Sequence, residues 1–462
     1  MASTGKSVKA PKSKTLRCRT LHEYLKSLSP SVLDRLYNHP STCLAVYREL
    51  SEIAKHYVIR LLFVEQPVPQ AVIASWLSKT HAKEHKEATD TLTELRVWNE
   101  ASVPGGLSAW ILNPIFKRNA KVALLGGGKP WSMSAKLEQD QKARDLDFLN
   151  QYALERWECI LRFMVGSQQT EGISADAVRT LLYAELMKCN EGSESPVITK
   201  DGFQFLLLET PAQVWYFILK YLETVETKGL DLVECLTFLF QLKFSTLGTD
   251  YSTEGMSEKL QIFLQHLREF GLVYQRKRKA GRFYPTKLAL NMATRGTLKQ
   301  IREPGFLIVE TNFRVYAYTD SNLKVALIGL FTELMYRFPN LTVGVLTRDS
   351  VRAALRSGIT AAQIIGFLRL HALPTLATPL PPVVADQIQL WEGERERLTT
   401  TEGVLYSQFV SQADFEKLRD YAQDLGVLTW QNDKKRTVVV TKQGHSDIKK
   451  FWVHHQKGSQ HS

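Results

Sequence analysis

The run Phe306-Leu-Ile-Val-Glu-Thr-Asn-Phe-Arg-Val-Tyr-Ala-Tyr318 is rich in aromatic and β-branched residues. That composition suits a pleated, half-buried surface, and the run reads as one long or bulged strand. Behind it, residues 323–338 place Leu323, Leu327, Leu330, Phe331, Leu334 and Phe338 at the three-and-four spacing of an amphipathic helix, which Pro339 would end. A second strand is expected over 341–346. Thr347 then caps a short helix through Leu355 that Gly358 stops, and Thr360 caps another carrying Ile364, Ile365, Phe367 and Leu368. The order over 305–398 is strand, helix, strand, helix, helix. No cluster of His, Cys, Ser or paired carboxylates stands in it, so it reads as a small α/β packing module without catalytic residues.

Outward from this module, one pattern recurs four times. A helix leads into a short apolar strand, a polar or Gly-containing turn follows, and a second strand often closes on Thr or Asn. The first copy runs from a helix ending at Leu95 through Val97-Trp98 and Pro104-Gly105-Gly106 to Trp110-Ile-Leu-Asn113. The second joins 181–187 to Val197-Ile-Thr199 across the polar stretch 190–196. The third joins 260–270 to Leu272-Val-Tyr274 and Phe283-Tyr-Pro-Thr286, and the fourth joins 415–425 to Val427-Leu-Thr-Trp430 and 437–441. Helix followed by hairpin is how a winged-helix domain ends, so several winged-helix-like units are expected. Their spacing is too irregular for a solenoid. Ahead of them, 21–62 is apolar at helical spacing and reads as three helices.

A chain of 462 residues, 44% hydrophobic, is long enough for three or more domains. No apolar run approaches eighteen residues and the basic N-terminus lacks an apolar segment, so neither a membrane span nor a secretory signal is expected. The five cysteines, at 18, 43, 159, 189 and 235, are far apart and form no C-x-x-C pair. They read as reduced packing residues, with no metal site. His445, His454 and His455 read as a solvated tail face, because no thiol or acid joins them at ligand spacing.

The net charge of +12 is local. Residues 1–20 hold six Lys or Arg and residues 276–302 hold nine, with no acid in either, which leaves the remainder weakly acidic. The first patch reads as a disordered tail. The second contains Arg276, Lys277, Arg278, Lys279 and Arg282 at the tip of the third hairpin, where they suit contact with DNA phosphates or an acidic partner. The glycine run Leu125-Gly-Gly-Gly-Lys-Pro-Trp131 is not a nucleotide loop: Pro130 removes a donor and no Ser or Thr follows the Lys. Trp157, Trp215, Tyr216, Phe238 and Phe240 are core residues or a face covered by another subunit. Pro-rich 374–382 is a connector, 383–398 a charged helix and 403–410 a strand. An exposed edge strand in so small a terminal region calls for a partner strand.

Ile308-Val-Glu-Thr-Asn312, Leu346-Thr-Arg-Asp-Ser-Val351 and Ser357-Gly-Ile-Thr-Ala-Ala-Gln-Ile-Ile365 resemble the N-terminal accessory domain of XPB-type DNA helicases. No helicase motor accompanies them. A chain carrying that domain without a motor resembles the fifty-two-kilodalton core subunits of the general transcription and repair factor TFIIH. The resemblance extends nearly end to end, through Leu28-Ser-Pro-Ser-Val-Leu-Asp-Arg-Leu-Tyr37, Leu112-Asn-Pro-Ile-Phe116, Gly202-Phe-Gln-Phe-Leu-Leu-Leu208, Phe244-Ser-Thr-Leu-Gly248, Gln265-His-Leu-Arg-Glu-Phe-Gly-Leu-Val-Tyr274 and Gly403-Val-Leu-Tyr406.

Together these readings give an α+β, mostly helical fold. It comprises a basic tail (1–20), an N-terminal helical and winged-helix domain (21–125), a linker (126–148), two further winged-helix-like units (149–225 and 226–300), a module like the XPB N-terminal domain (301–400), a small C-terminal α/β dimerisation domain (401–456) and a tail (457–462). The resemblance implies a non-catalytic nuclear scaffold in RNA polymerase II transcription initiation and nucleotide excision repair, using no cofactor. It would anchor the XPB helicase and stimulate its ATPase among the other TFIIH core subunits. Ile308, Glu310, Asn312, Arg314, Tyr316, Thr347 and Arg348 are then the expected XPB-binding residues. Val404, Leu405, Tyr406, Ser407, Gln408 and Phe409 would bind the smallest subunit, TTDA. The competing reading is a winged-helix protein that binds duplex DNA directly.

Overall fold

The computed structural model describes residues 16, 18–103, 106–127, 133, 140, 143–166, 173–189, 196–277, 281–291, 305–375, 378–395 and 402–459. Most of the basic tail, most of 126–148 including Lys129 to Trp131, the turn 190–195, and Arg278 and Lys279 lie outside the described residues, as do the side chains of His454 and His455. The chain is a mostly helical α+β protein with small antiparallel sheets. It divides into two compact units, one spanning 13–392 and one containing 393–462.

All four helix–hairpin joints are present, and they share one backbone geometry. The helices Ala82–Glu94, Ala175–Tyr183, Glu258–Glu269 and Gln412–Asp424 each end in a residue with positive φ: Arg96 at 53°, Glu185 at 56°, Gly271 at 83° and Gly426 at 66°. The next residue, Val97, Leu186, Leu272 or Val427, turns its N–H back to the carbonyl of Leu92, Leu181, Leu267 or Ala422. This six-to-one bond is the Schellman closure, which satisfies carbonyls the helix leaves open. The same residue then accepts through its own carbonyl from Asn113, Thr199, Thr286 or Thr441 at the end of the return strand. Asn113 and Thr199 go on to cap the next helix with their side chains. In these two joints the polar residue closing the hairpin both locks the joint and starts the following helix.

In the larger unit one hydrophobic cluster runs from Leu21 to Ile388. Residues 21–62 form four helices where three were expected: Leu21–Lys26, Pro30–Leu36, Pro40–Glu49 and Glu52–Leu61. Pro30 and Pro40 stand at first helical positions, where a missing N–H costs nothing. Trp157, Trp215, Tyr216, Phe238 and Phe240 are all at most 9% exposed within this chain, so they are core. Trp157 donates through Nε1 to Gln213 Oε1 at 3.1 Å, so the indole is buried without leaving a polar atom unmet. The end of the expected tail is held as well. Leu16 N–H donates to Gln204 Oε1, and Trp215 Nε1 donates to the Arg19 carbonyl at 2.9 Å.

Two readings of the module are corrected. Residues 306–318 are a hairpin of Leu307–Val309 and Arg314–Ala317, not one strand. Phe313 takes φ +67° at the turn, and Asn312 Oδ1 accepts from the Arg314 N–H at 3.0 Å, an Asx-type closure. The helix behind it is only Asn322–Gly329, and Glu333–Phe338 is a strand that Pro339-Asn340 turns into Leu341–Val345. The order is therefore hairpin, helix, hairpin, then the helices Arg348–Arg356 and Ala361–Leu370, both opened by threonine capping boxes. The four strands stand in the order Glu333–Phe338, Leu341–Val345, Arg314–Ala317, Leu307–Val309.

The terminal unit has its own core of Phe415, Leu418, Ala422, Val438, Val440 and Ile448. Its sheet places Thr437–Thr441 between Gly403–Tyr406 and Leu428–Asn432. The expected strand over 403–410 thus ends at Tyr406, and the chain turns away where Gln408 takes φ +68°.

Candidate functional site

Side chains directly opposed across antiparallel strands share a face. In the module, Leu307, Val309, Val315, Ala317, Thr342 and Gly344 are buried against the helices. The alternate residues form the outer face. Tyr316 opposes Ile308 on one side and Val343 on the other, and Val343 opposes Tyr336. One continuous row, Ile308–Tyr316–Val343–Tyr336, therefore crosses all four strands. A second row joins Arg314, Val345 and Glu333.

The edge strand Glu333–Phe338 is exposed at every position. Tyr336 and Phe338 are 61% and 53% exposed, and their rings stack with centroids 6.5 Å apart. An edge strand that displays large apolar side chains and carries only one Glu and one Arg lacks the usual guards against pairing with another strand. Sequence reasoning missed this element because it took the strand for helix.

Of the residues expected to contact a helicase, Ile308, Arg314 and Tyr316 share the outer face. Glu310 and Asn312 sit exposed at the adjoining turn. Glu310 Oε2 accepts from Asn312 Nδ2 at 3.0 Å and from the Tyr316 hydroxyl at 3.4 Å, so the turn orients the Tyr316 ring. Thr347 instead serves as a cap, its Oγ1 accepting from the Ser350 N–H at 3.1 Å. Arg348 is exposed in the first turn of that helix.

In the terminal unit, Gly403–Tyr406 is an edge, with Val404, Leu405 and Tyr406 opposite Val440, Val439 and Val438. Leu405 points outward at 59% exposed, whereas the Tyr406 hydroxyl is 2.8 Å from His445 Nδ1. His445 is therefore part of this packing, a correction to its reading as a solvated tail residue. Ser407 and Gln408 are in the following loop, and Phe409 packs edge-on to Phe415 and Trp452. Leu428–Asn432 is a second open edge, with Trp430 51% exposed.

Of the basic hairpin, Arg276, Lys277 and Arg282 are described. Arg282 pairs with Asp250 at 2.8 Å and is largely withdrawn, while Arg276 and Lys277 are exposed.

The arrangement nearest to a catalytic constellation is Asp176, His266 and Tyr221. His266 Nε2 is 3.2 Å from Asp176 Oδ2, Nδ1 is 2.5 Å from the Tyr221 hydroxyl, and Lys228 Nζ is 3.0 Å from Asp176 Oδ1. Burial lowers the His266 pKa and outweighs the Asp176 carboxylate that would raise it. At neutral pH the imidazole is thus uncharged, donating through Nε2 to Asp176 and accepting from Tyr221 at Nδ1. The array ties together three helices and a turn, with no Ser or Cys nucleophile in the hydrogen-bonded set. Burial likewise pushes the Cys18 and Cys235 thiols up to about 11 and about 12, away from thiolate chemistry. Among the described residues no group of three His, Cys, Asp or Glu could hold a metal ion, and no helix is long and apolar enough to cross a membrane.

A family model described as "Transcription factor Tfb2" matches residues 23–374, and one described as "Transcription factor Tfb2 (p52) C-terminal domain" matches 386–453. The chain is 37% identical to the "General transcription and DNA repair factor IIH subunit TFB2" of Yarrowia lipolytica, covering 94% of this chain and 96% of that one. It is 34% identical to the proteins of the same name from Saccharomyces cerevisiae and Arabidopsis thaliana, in each case over 93% of this chain and 96% of the relative. Both family models describe a transcription factor, and together they match most of the chain. The chain belongs to the Tfb2 family.

Proposed function

We propose that this protein is a non-catalytic subunit of the general transcription and repair factor IIH in the nucleus, and that its 305–398 module anchors the XPB-type helicase of that complex. The observation that carries the reading is the row Ile308–Tyr316–Val343–Tyr336 beside the unguarded edge Glu333–Phe338. A related accessory domain presents strands of its own, and two such sheets can associate by edge pairing while aromatic side chains fill the contact centre. Stimulation of the partner's ATPase follows if docking is tighter to the ATPase-competent arrangement of the motor. The open strand Gly403–Tyr406 is the docking edge for the smallest subunit, TTDA, through Val404 and Leu405. The three helix–hairpin units within 21–300 serve as winged-helix-like contacts to other core subunits.

The test is capture and ATPase stimulation of the helicase by the full chain carrying Tyr336→Asp, Glu310→Lys or Arg314→Glu. Tyr336→Asp should weaken capture at least about tenfold, the size of an aromatic anchor lost from a contact centre. If all three variants captured and stimulated the helicase as well as the unaltered chain, the docking surface would be elsewhere.

A further inference from the structure

A cavity of about 430 Å³ lies within the larger unit, between the helix Leu146–Met164 and the helices Asn322–Gly329 and Ala361–Leu370. It falls within the range of small-molecule sites, which are mostly apolar with a few convergent polar groups. Trp157, Leu161, Phe306, Leu327 and Phe367 supply apolar wall, and each is at most 8% exposed.

The polar side chains at the lining decide the ligand class. Glu158 is met by Arg162 at 2.6 Å, Lys324 lies over the Phe306 ring, and Glu209 and His371 have partners of their own. Lys287 differs. Among the described residues lining the cavity it is the charged side chain with no partner, and Asn150 and Asn291 also line the cavity with unpartnered amides. Lys287 and Asn291 are one helical turn apart, and the Lys287–Leu290 helix packs against Leu146–Met164, which carries Asn150. A half-buried lysine and two carboxamide side chains on the lining of a mostly apolar cavity suit an anionic group carried on an apolar body.

We propose that this cavity binds a small apolar acid, its body against Trp157 and Phe306 and its anionic group at Lys287, Asn150 and Asn291. The probe is 8-anilinonaphthalene-1-sulfonate, titrated by fluorescence into the purified full chain, with N-phenyl-1-naphthylamine as the same ring system without the charge. Expected is saturable one-to-one binding of the sulfonate. Leu154→Trp, at a lining residue that is 37% exposed and so tolerant of size, should block the chamber and weaken both probes at least about tenfold, as an occluded site requires. Lys287→Met should weaken the sulfonate about tenfold, the scale of one charge-assisted hydrogen bond, and leave the uncharged probe unchanged. Circular dichroism confirms that each variant is folded. No saturable binding, or binding untouched by Leu154→Trp, overturns the site; equal loss of both probes in Lys287→Met overturns the anionic class.

Discussion

Replacing Gly305 by Ala should pry the module's first strand from the helix end it is tied to. A Cβ at Gly305 would lie 2.0 Å from the Ala372 carbonyl oxygen and 2.5 Å from its carbon. Both are backbone atoms, so no rotamer relieves the clash and the chain itself must move. The N–H groups of Phe306 and Leu307 both donate to the His371 carbonyl at 2.9 Å, and the Leu373 N–H donates to the Leu307 carbonyl at 2.9 Å. Displacement weakens all three bonds beside a fully buried Leu307. At about 0.5–1.5 kcal/mol each the loss is about 2–4 kcal/mol. Gly366→Ala is the control, because its Cβ meets nothing within 4 Å on an exposed helix face. It should stabilise by about 0.5–1 kcal/mol through helix propensity alone. Denaturant midpoints report both changes, and hydrogen exchange should accelerate selectively at Phe306, Leu307 and Leu373 in the first variant. A Gly305→Ala midpoint within about 0.5 kcal/mol of the unaltered chain would refute the reasoning, since that is the scale of a change touching nothing.

The joints offer a parallel contrast. Gly426→Ala meets only the backbone penalty of positive φ, about 1–2 kcal/mol, whereas Gly271→Ala adds a Cβ 2.7 Å from the Ala153 carbonyl oxygen and should cost clearly more by thermal or chemical unfolding. Acidification should destabilise the Asp176–His266–Tyr221 array. His266 is held below its ordinary 6.5, mainly by burial, so the unfolded chain takes up its proton first and stability falls as pH drops below 6.5 toward the lowered value. For Asp176, burial raises the pKa, but Lys228 and His266 together lower it on balance, which extends the loss below the ordinary carboxylate range. His266→Gln should flatten the part of the stability–pH curve just below 6.5; an unchanged curve would contradict the assignment. Thr347→Ala removes a cap and should cost about 1 kcal/mol in unfolding measurements.

The helix starts were legible because Thr347 and Thr360 announce themselves with capping partners three residues on. The joints were legible because buried Val97, Leu186 and Leu272 and half-buried Val427 follow helices of clear period, and Asn113, Thr199, Thr286 and Thr441 close the hairpins. The hairpin at 307–317 was hidden because Phe313 occupies a backbone region that large side chains rarely adopt. Thr311-Asn312 was the available turn signal. The edge strand was hidden for a different reason. Leu330, Leu334 and Phe338 satisfy helical spacing while Leu334, Tyr336 and Phe338 satisfy strand alternation, and periodicity cannot separate the two over so few residues. Pro339-Asn340, the turn of that hairpin, was the overlooked signal. Burial of Arg282 against Asp250 was beyond sequence, since a charge at a hairpin base and one at its tip look alike.

The anchoring reading is tested most directly by the affinity of the full chain for the accessory domain of an XPB-type helicase, measured from low to high salt. An apolar sheet contact built on Ile308, Tyr316, Val343 and Tyr336 should hold its affinity within about threefold across that range, because screening acts on charges and leaves buried apolar area intact. Absence of binding, or affinity that falls log-linearly with salt while duplex DNA is captured instead, would contradict it.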